Sequence, residues 1–335
     1  MSFLYSKLGL PRPQHHRWAI DAAIDAAATT TVIATRHGHS QGPKKGNSSP
    51  GKRGDTVRWR NRQEKDPYVI RAQKLNVPSR AYFKLEELDK IHHPSLQRKK
   101  YAKKKSKQRE PMSLRKRSLV EPGMLVLDLG AAPGGWSLYA SGQLSSKMGG
   151  GLVAVDLLSL EETLQSDKTD TLARIQSNLE HFEFIQGDFT EQETQSRILD
   201  AFSSMSGSET PTLHASSNQT PATRKPSLIM SDMAPNFMGN QQIDALRTMN
   251  LCEQALAFAA GPDCFDESLE RNGRASGLLD SGGDFLCKFF KCGEDNEREL
   301  LEAAKRSFEH IGVIKPKASR RESSEQYLMA LNYRY

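Results

Sequence analysis

The sequence has few cysteines, and they are irregularly spaced. There are four in 335 residues, Cys252, Cys264, Cys287 and Cys292. So sparse a set does not form the disulfide framework of a secreted protein, and Cys287 and Cys292 lack the paired spacing of a zinc site. We therefore expect a reducing compartment and no bound metal.

Long apolar runs and aromatic residues are also scarce. Hydrophobic residues make up 37% of the chain and aromatic residues 7%, which predicts that part of it is unstructured or highly exposed. The apolar stretch Trp18–Thr35 is interrupted by Asp21 and Asp25, so it lacks the roughly 18 uncharged apolar residues of a transmembrane helix. We expect a soluble protein that does not bind a membrane.

Acidic residues are scarce in the first third of the chain. Residues 1–118 contain 28 Lys and Arg and nine Asp and Glu, a net charge of +19, so the remaining 19 basic and 31 acidic residues give residues 119–335 a net charge of −12. Clustered Lys and Arg bind polyanions because they release the counterions of phosphates. The charge distribution therefore predicts a polyanion-binding extension on an acidic globular body, with a merely solvated tail as the alternative.

The composition of the N-terminal region predicts a presequence followed by a linker. The first fifty residues are rich in Ala, Thr and apolar residues and contain two acids, a pattern typical of mitochondrial import. Their basic residues include Lys7, Arg12, Arg17 and Arg36. Residues 42–62 are rich in Gly, Ser, Lys and Arg and predict a flexible linker. We assign 1–62 to presequence and linker and 63–335 to the folded domain; a dispensable tail is the alternative to a presequence.

Hydrophobic periodicity predicts the elements of the folded domain. Apolar residues at helical spacing predict two short helices, one following Asp66 and one following Pro78-Ser79. Beyond Pro122, short apolar runs alternate with helical stretches, which is typical of βαβ units around a mostly parallel sheet. The predicted strands are Met124–Leu129, Leu152–Asp156, Phe182–Gln186, Ser227–Ser231, Asp284–Phe290, His310–Ile314 and Gln326–Asn332. The fold class is therefore α/β.

Three segments do not fit this alternation and predict insertions. Residues 95–118 are basic and have few core-forming residues, whereas residues 203–226 and 261–283 are polar. Connections of this length are uncommon in a compact domain, so we expect surface loops. The basic insertion either extends the polyanion-binding surface or is a solvated extension.

A glycine-rich turn predicts a cofactor site. Residues Val126–Trp136 read as a buried strand, a turn of small residues and a helix start, where free N–H groups can bind a carboxylate. Asp156 ends the second strand, where it can accept both hydrogen bonds of a ribose diol, and Asp188 follows the third. With Asp128 on the first strand, these acids are expected to face one crevice. Because the turn has no phosphate-binding Lys or Arg, S-adenosylmethionine is favoured over a dinucleotide.

Three motifs closely resemble the FtsJ family of RNA ribose 2′-O-methyltransferases. They are Ser79–Leu85, Asp128–Trp136 and Ser231–Asn236, and the resemblance covers about residues 66–335 apart from the insertions. Asp66–Val69 and the long Asp232 motif resemble the branch that acts on large-subunit ribosomal RNA, including its mitochondrial members. The resemblance implies a Rossmann-like methyltransferase fold with seven mostly parallel strands, the last strand antiparallel. We expect the protein to be a monomer.

The resemblance also implies the residues of the site. The family's catalytic Lys-Asp-Lys-Glu tetrad matches Lys84, Asp232, Lys288 and Glu325. Its cofactor contacts match Gly134, Trp136, Asp156, Asp188 and Asp232. Methyl transfer is an in-line displacement, so the enzyme must place the ribose oxygen at the methyl carbon and remove its proton. We predict that Lys288 accepts this proton, that Lys84 steers the substrate oxygen and that Glu325 positions a lysine.

The implied substrate is a ribose 2′-hydroxyl of large-subunit ribosomal RNA, at a uridine, in free RNA or in an assembling subunit of the mitochondrial matrix. Four alternatives remain open: methylation of transfer RNA or an mRNA cap, methylation of a small molecule, a ribosome-assembly role in which methylation is secondary, and a nuclear or cytoplasmic location. The Asp66–Val69 segment counts against the first alternative. The basic N-terminal third counts against the second.

Overall fold

The structure, a computed structural model, describes residues 64–90, 118–160, 171–205, 224–268 and 276–334. The predicted presequence and linker, the basic insertion up to residue 117 and most of the polar insertion at 203–226 lie outside the described residues. None of the helices in these ranges combines the length and the hydrophobicity that a membrane span requires.

The strands form one sheet that is parallel except at its last strand. They are β1 (Leu125–Leu129), β2 (Gly151–Asp156), β3 (His181–Gln186), β4 (Leu228–Ser231), β5 (Asp284–Phe290), β6 (Phe308–Ile314) and β7 (Glu325–Tyr333). Their order is β3-β2-β1-β4-β5-β7-β6, and β7 runs antiparallel to both neighbours. The predicted seven-stranded α/β sheet is confirmed, and each strand begins and ends within two residues of its predicted bounds.

Helices cover both faces of the sheet. They are α1 (Pro67–Leu75), α2 (Ala81–Lys90), α3 (Gly135–Gln143), α4 (Thr171–Asn178), α5 (Gln192–Ser204), α6 (Gln241–Ala260) and α7 (Glu294–Ser307). The first four bury residues such as Phe83 and Ile175 on one face, and the last three bury residues such as Phe202 and Leu300 on the other. All five residues of β1 are consequently buried, as expected of a parallel strand covered on both sides.

The two predicted N-terminal helices are present, and their capping explains where they begin. Asp66 accepts a hydrogen bond from the Tyr68 amide at 3.0 Å, and Pro67 occupies the first turn of α1, where its missing N–H costs nothing. On α2 the buried residues include Phe83, Lys84 and Leu85. A lysine is thus carried into the interior together with the apolar residues that dock the helix.

The described part of residues 261–283 differs from the expected surface loop. A short 3-10 helix, Pro262–Phe265, buries Cys264, and Leu278 and Leu279 are buried in the same core. The amides of Leu278 and Leu279 donate to the carbonyls of Phe258 and Ala259 at the end of α6. The polar composition of this segment concealed these few apolar residues, which close the core between α6 and β5.

Candidate active site

Four charged side chains from distant parts of the chain meet beside β4 and β5. Lys84 lies on α2, Asp232 follows β4, Lys288 lies in β5 and Glu325 begins β7. The Lys84 Nζ lies 2.9 Å from Glu325 Oε2 and 3.7 Å from Asp232 Oδ2, and the Lys288 Nζ lies 3.1 Å from Asp232 Oδ1. The structure therefore brings all four residues of the expected tetrad into one cluster.

Strand register places this cluster on one face of the sheet. Across β5 and β7, Lys288 pairs with Tyr327 and Phe290 pairs with Glu325. Directly opposed residues, and residues two apart on one strand, project from the same face. The side chains of Lys288 and Glu325 therefore project from the same face of the sheet as their partners on the opposite strand. Because α2 covers this face, Lys84 can reach them.

The cluster is nearly enclosed by protein and its charges balance. The exposed fractions of Lys84, Lys288 and Glu325 are 8%, 6% and 9%. Burial alone would raise the pKa of Asp232, but the ammonium groups of Lys288 and Lys84 and a hydrogen bond from Tyr327 outweigh it and hold this pKa below its ordinary value. Asp232 is consequently ionised at neutral pH and shares its charge between two lysines, which limits the cost of burying them.

Tyr327 is a member of the site that motif matching did not single out. Its hydroxyl donates to Asp232 Oδ1 at 2.8 Å, and its ring centroid lies 5.7 Å from the Lys84 Nζ. Burial, together with the charges of Asp232 and Glu325, raises the pKa of this phenol well above its usual range, so it remains a donor. The signal in the sequence was its position two residues after Glu325, which places both side chains on one face of a strand.

The glycine-rich turn lies where the strand order reverses between β1 and β4. Gly130 and Gly134 have φ values of +81° and +93°, in the left-handed region that favours glycine. A Cβ at Gly130 would lie 2.6 Å from the Met233 side chain, and one at Gly134 would lie 2.7 Å from the Thr171 side chain. Only glycine therefore lets this turn pack against the segment after β4 and the start of α4. Ligands of doubly wound sheets bind at such a switch point.

Asp156 and Asp188 present acceptor oxygens beside this turn. Asp156 accepts from the Ala132 amide and from the Leu158 amide, each at 2.9 Å, which fixes its carboxylate next to the turn. Asp188 Oδ1 accepts from the amide and hydroxyl of Thr190 at 2.9 and 2.7 Å. Each carboxylate oxygen has two lone pairs, so both groups keep capacity for a ligand.

The expectation that Asp128 faces the crevice is wrong. Its side chain is fully buried, and it accepts a hydrogen bond from the Ser137 hydroxyl at 2.6 Å. Its other oxygen has no hydrogen-bond partner in the described parts of the chain. Burial, reinforced by the charges of Asp232 and Asp156, raises the pKa of Asp128 to about 7. The cause is the central position of β1, which is covered on both faces.

The side chain of Trp136 lies in the core. It is 2% exposed, its indole N–H donates to the Ala81 carbonyl at 3.0 Å, and its ring centroid is 5.8 Å from that of Tyr327. The expected cofactor contact at Trp136 is therefore limited to its backbone, in the first turn of α3. Its indole ties α3 to α2 and to the face that carries the tetrad.

These features fit S-adenosylmethionine. The turn at Gly134 and the backbone N–H groups in the first turn of α3 suit a carboxylate tail. Asp156 and Asp188 would accept hydrogen bonds from ribose hydroxyls and a base amino group. Two exposed apolar side chains, Leu157 and Leu158, follow Asp156 and offer a surface for a flat base. Asp232 connects this crevice to the tetrad, since its segment packs on the turn.

The protein has a crevice that fits a nucleoside cofactor, and a buried Lys-Asp-Lys-Glu cluster lies beside it. These two features are typical of the S-adenosylmethionine-dependent methyltransferases. The match of the FtsJ-like methyltransferase family over residues 77–333 shows that the chain belongs to that family. S-adenosylmethionine is its methyl donor. The expected family, enzyme class and cofactor are thereby confirmed.

Similar proteins bear related names. The chain is 33% identical to ribosomal RNA large subunit methyltransferase E of Pseudomonas fluorescens (strain Pf0-1) over 279 residues, 82% of this chain and 94% of that protein. It is 34% identical to the protein of that name from Legionella pneumophila (strain Corby) over 277 residues, 82% of this chain and 95% of the relative. A crystal structure of a ribosomal RNA methyltransferase from Plasmodium falciparum aligns with a TM-score of 0.43 and 18% identity, covering 76% of this chain and 98% of that one.

Proposed function

We propose that this protein methylates a ribose 2′-hydroxyl of large-subunit ribosomal RNA. The observation that carries the proposal is the buried cluster in which Lys84, Asp232, Lys288 and Glu325 alternate in charge. A hydroxyl is a weak nucleophile until its proton leaves, so an enzyme that methylates oxygen needs a positioned base. The cluster supplies candidates for that base together with counter-charges for the proton they receive.

The contacts of the two lysines support different roles. The Lys84 Nζ has carboxylates of both Glu325 and Asp232 within 4 Å, whereas the Lys288 Nζ has only that of Asp232 among the described residues. The Lys288 Nζ also donates to the backbone carbonyl of Asp232, so it lies against the segment that follows β4, whereas Glu325 holds the Lys84 Nζ. We assign Lys288 as the proton acceptor and Lys84 as the residue that steers the substrate oxygen.

Each residue then has a defined task. Bound S-adenosylmethionine would supply an electrophilic methyl group on a sulfonium centre. In its neutral form, reached by release of one proton to solvent, the Lys288 Nζ accepts the hydroxyl proton as the oxygen becomes the nucleophile. This step restores the ammonium that Asp232 balances in the resting site. Lys84, held by Glu325, donates an N–H to the same oxygen and stabilises its developing negative charge.

The substrate class rests on the relatives and on charge. Relatives that match over most of their length are named large-subunit ribosomal RNA methyltransferases. A net charge of +19 over residues 1–118 suits a phosphate backbone. The composition of the first fifty residues favours a location in the mitochondrial matrix. The family resemblance implies that the target is a uridine of the large-subunit RNA, free or in an assembling subunit. We propose that it acts as a monomer.

One experiment tests the proposal directly. Purified protein is incubated with labelled S-adenosylmethionine and large-subunit particles that lack the modification, and 2′-O-methyl positions are mapped by resistance of the RNA backbone to alkali. We expect one ribose to be labelled by the wild-type protein and none by Lys288→Ala. Label on a base, or equal labelling by the variant, would overturn the proposal.

Two further experiments test the alternative RNA substrates and the alternative role in ribosome assembly. Transfer RNA and capped mRNA are offered under the same conditions, and we expect neither to be labelled at the rate of the subunit particles. In cells that lack the protein, full rescue of ribosome assembly by Lys288→Ala would instead indicate an assembly factor for which methylation is secondary.

A further inference from the structure

Two aromatic side chains form an exposed lip beside the tetrad. Phe237 is 57% exposed, and its ring centroid lies 5.7 Å from that of the half-buried Phe290, with the ring planes at 57°. Met238, next in the chain, is also exposed. A single exposed apolar residue needs no explanation, but a contiguous apolar patch at a reaction centre points to a ligand.

The position of the lip relates it to the reacting atoms. Phe290 and Lys288 are two residues apart on β5, so their side chains share a face and lie about 7 Å apart along the strand. Phe237 comes from the segment that Asp232 begins, which follows the adjacent strand β4. The ribose that presents its hydroxyl to Lys288 therefore has its own base, or the next one, within reach of these rings.

The backbone beneath Phe237 is held in place. The carboxylate of Asp244, a buried residue of α6, accepts hydrogen bonds from the amides of Met238 and Gly239 at 2.8 and 3.1 Å. Asn240 caps the same helix by accepting from the Gln242 and Ile243 amides. The exposed ring thus stands on an anchored segment, so little conformational freedom is lost when a ligand stacks on it.

We propose that Phe237 and Phe290 form a stacking surface for a nucleobase of the RNA substrate, at the methylated nucleotide or its immediate neighbour. Single-stranded RNA is recognised largely by stacking of unpaired bases on aromatic rings, and this contact tolerates any base. Stacking at this lip would hold the ribose hydroxyl at Lys288 once the base has left its helix. The inference rests on the proposed function, because it assumes that the substrate is RNA.

Binding of two oligomers isolates the stacking contribution. The full-length protein is titrated with an oligouridylate of about ten nucleotides and with an abasic ribose-phosphate oligomer of the same length, and fluorescence anisotropy gives both dissociation constants. We expect the wild-type protein to prefer the base-containing oligomer about tenfold, the effect of one stacked base. Phe237→Ala should lose this preference without changing affinity for the abasic oligomer, and Phe237→Trp should keep it.

A matched control is Leu199→Ala, because Leu199 is exposed on α5, on the other face of the sheet. It should behave as wild type. If the wild-type protein binds both oligomers equally or binds neither, or if Phe237→Ala weakens both equally, there is no stacking surface. Unaltered melting temperature and S-adenosylmethionine affinity of Phe237→Ala show that the variant is folded.

Methylation assays distinguish failure of this inference from failure of the proposed function. If the wild-type protein methylates ribosomal RNA and Phe237→Ala retains both its activity and its base preference, the stacking proposal alone is wrong. If the wild-type protein methylates no RNA yet shows a base preference that depends on Phe237, the lip binds nucleobases and the proposed function is wrong.

Discussion

The Nζ of Lys84 lies 2.9 Å from the Oε2 of Glu325, although the two residues are 241 positions apart in the chain. One belongs to a helix that precedes the sheet and the other begins its last strand. Their contact forms only when α2 docks on the face where β5 and β7 pair. Assembly of the site therefore depends on completion of the fold.

Replacement of Lys288 tests the assignment of the base. Lys288→Arg keeps the positive charge beside Asp232 but cannot accept a proton at neutral pH, so we expect turnover to fall about 10²-fold or more. S-adenosylmethionine affinity, measured by calorimetry, should be unchanged. Lys291→Arg is the control, because Lys291 is exposed beyond the end of β5. An arginine variant of Lys288 that retained even a third of wild-type turnover would refute the assignment.

A double-mutant cycle on Lys84 and Glu325 measures their coupling. Either Lys84→Met or Glu325→Gln leaves the buried cluster with one charge in excess, which costs up to about 3 kcal/mol. The double variant should be less destabilised than the two single effects together, because it removes both charges. Urea unfolding provides the free energies. Strict additivity would show that the two groups do not interact.

Glu87 is expected to position the tetrad through the loop before β7. Its Oε2 accepts from the amides of Lys317 and Ala318 at 2.6 and 3.2 Å, and its Oε1 accepts from the Tyr68 hydroxyl at 2.8 Å. This contact ties the helix of Lys84 to the loop that leads to Glu325. Glu87→Gln should lower turnover several-fold at unchanged S-adenosylmethionine affinity, and should lower stability by about 1–2 kcal/mol.

The neighbouring Glu86 is the control for that variant. It forms ion pairs with Arg71 and Lys90 at 3.2 and 3.0 Å, on helices only, and such pairs contribute little to stability. Glu86→Gln should therefore leave turnover unchanged. Assays well below the melting temperature separate lost positioning from lost folding, and equal turnover of the two variants would contradict the role of Glu87.

We expect the buried carboxyl group of Asp128 to make the stability of the protein depend on pH. Burial raises its pKa from 3.8 to about 7 in the folded protein, so between these values the unfolded chain has lost a proton that the folded chain keeps. The contribution of Asp128 to the free energy of unfolding therefore falls as pH rises from about 4 to 7, by up to about 4 kcal/mol, and is constant above that range.

Asp128→Asn isolates this contribution, because asparagine can still accept the hydrogen bond from Ser137 and does not titrate. The stability of the wild-type protein relative to the variant, from urea unfolding at a series of pH values, should decline through the same range. A difference independent of pH would mean that Asp128 ionises normally inside the protein.

Local patterns in the sequence determined the order of the elements and the ends of the strands. Apolar runs, glycine-rich turns and helix starts are set by neighbouring residues, so β1 to β5 and the turn at Gly134 could be recognised without coordinates. The motif around Lys288 placed a lysine in the middle of a strand, and it is buried there. Polar composition misled at residues 261–283, where a few buried leucines and a cysteine outweigh the average.

Only the tertiary structure decided which groups touch. The pairing of Lys288 with Tyr327 follows from the register of β5 and β7, and the hydrogen bond from Tyr327 to Asp232 follows from that pairing. Tertiary packing also buried Asp128 and turned the Trp136 indole into the core. Sequence periodicity indicates which residues share an element and a face, but contacts between elements depend on packing across the whole chain, where a shift of one residue in register reverses every side chain.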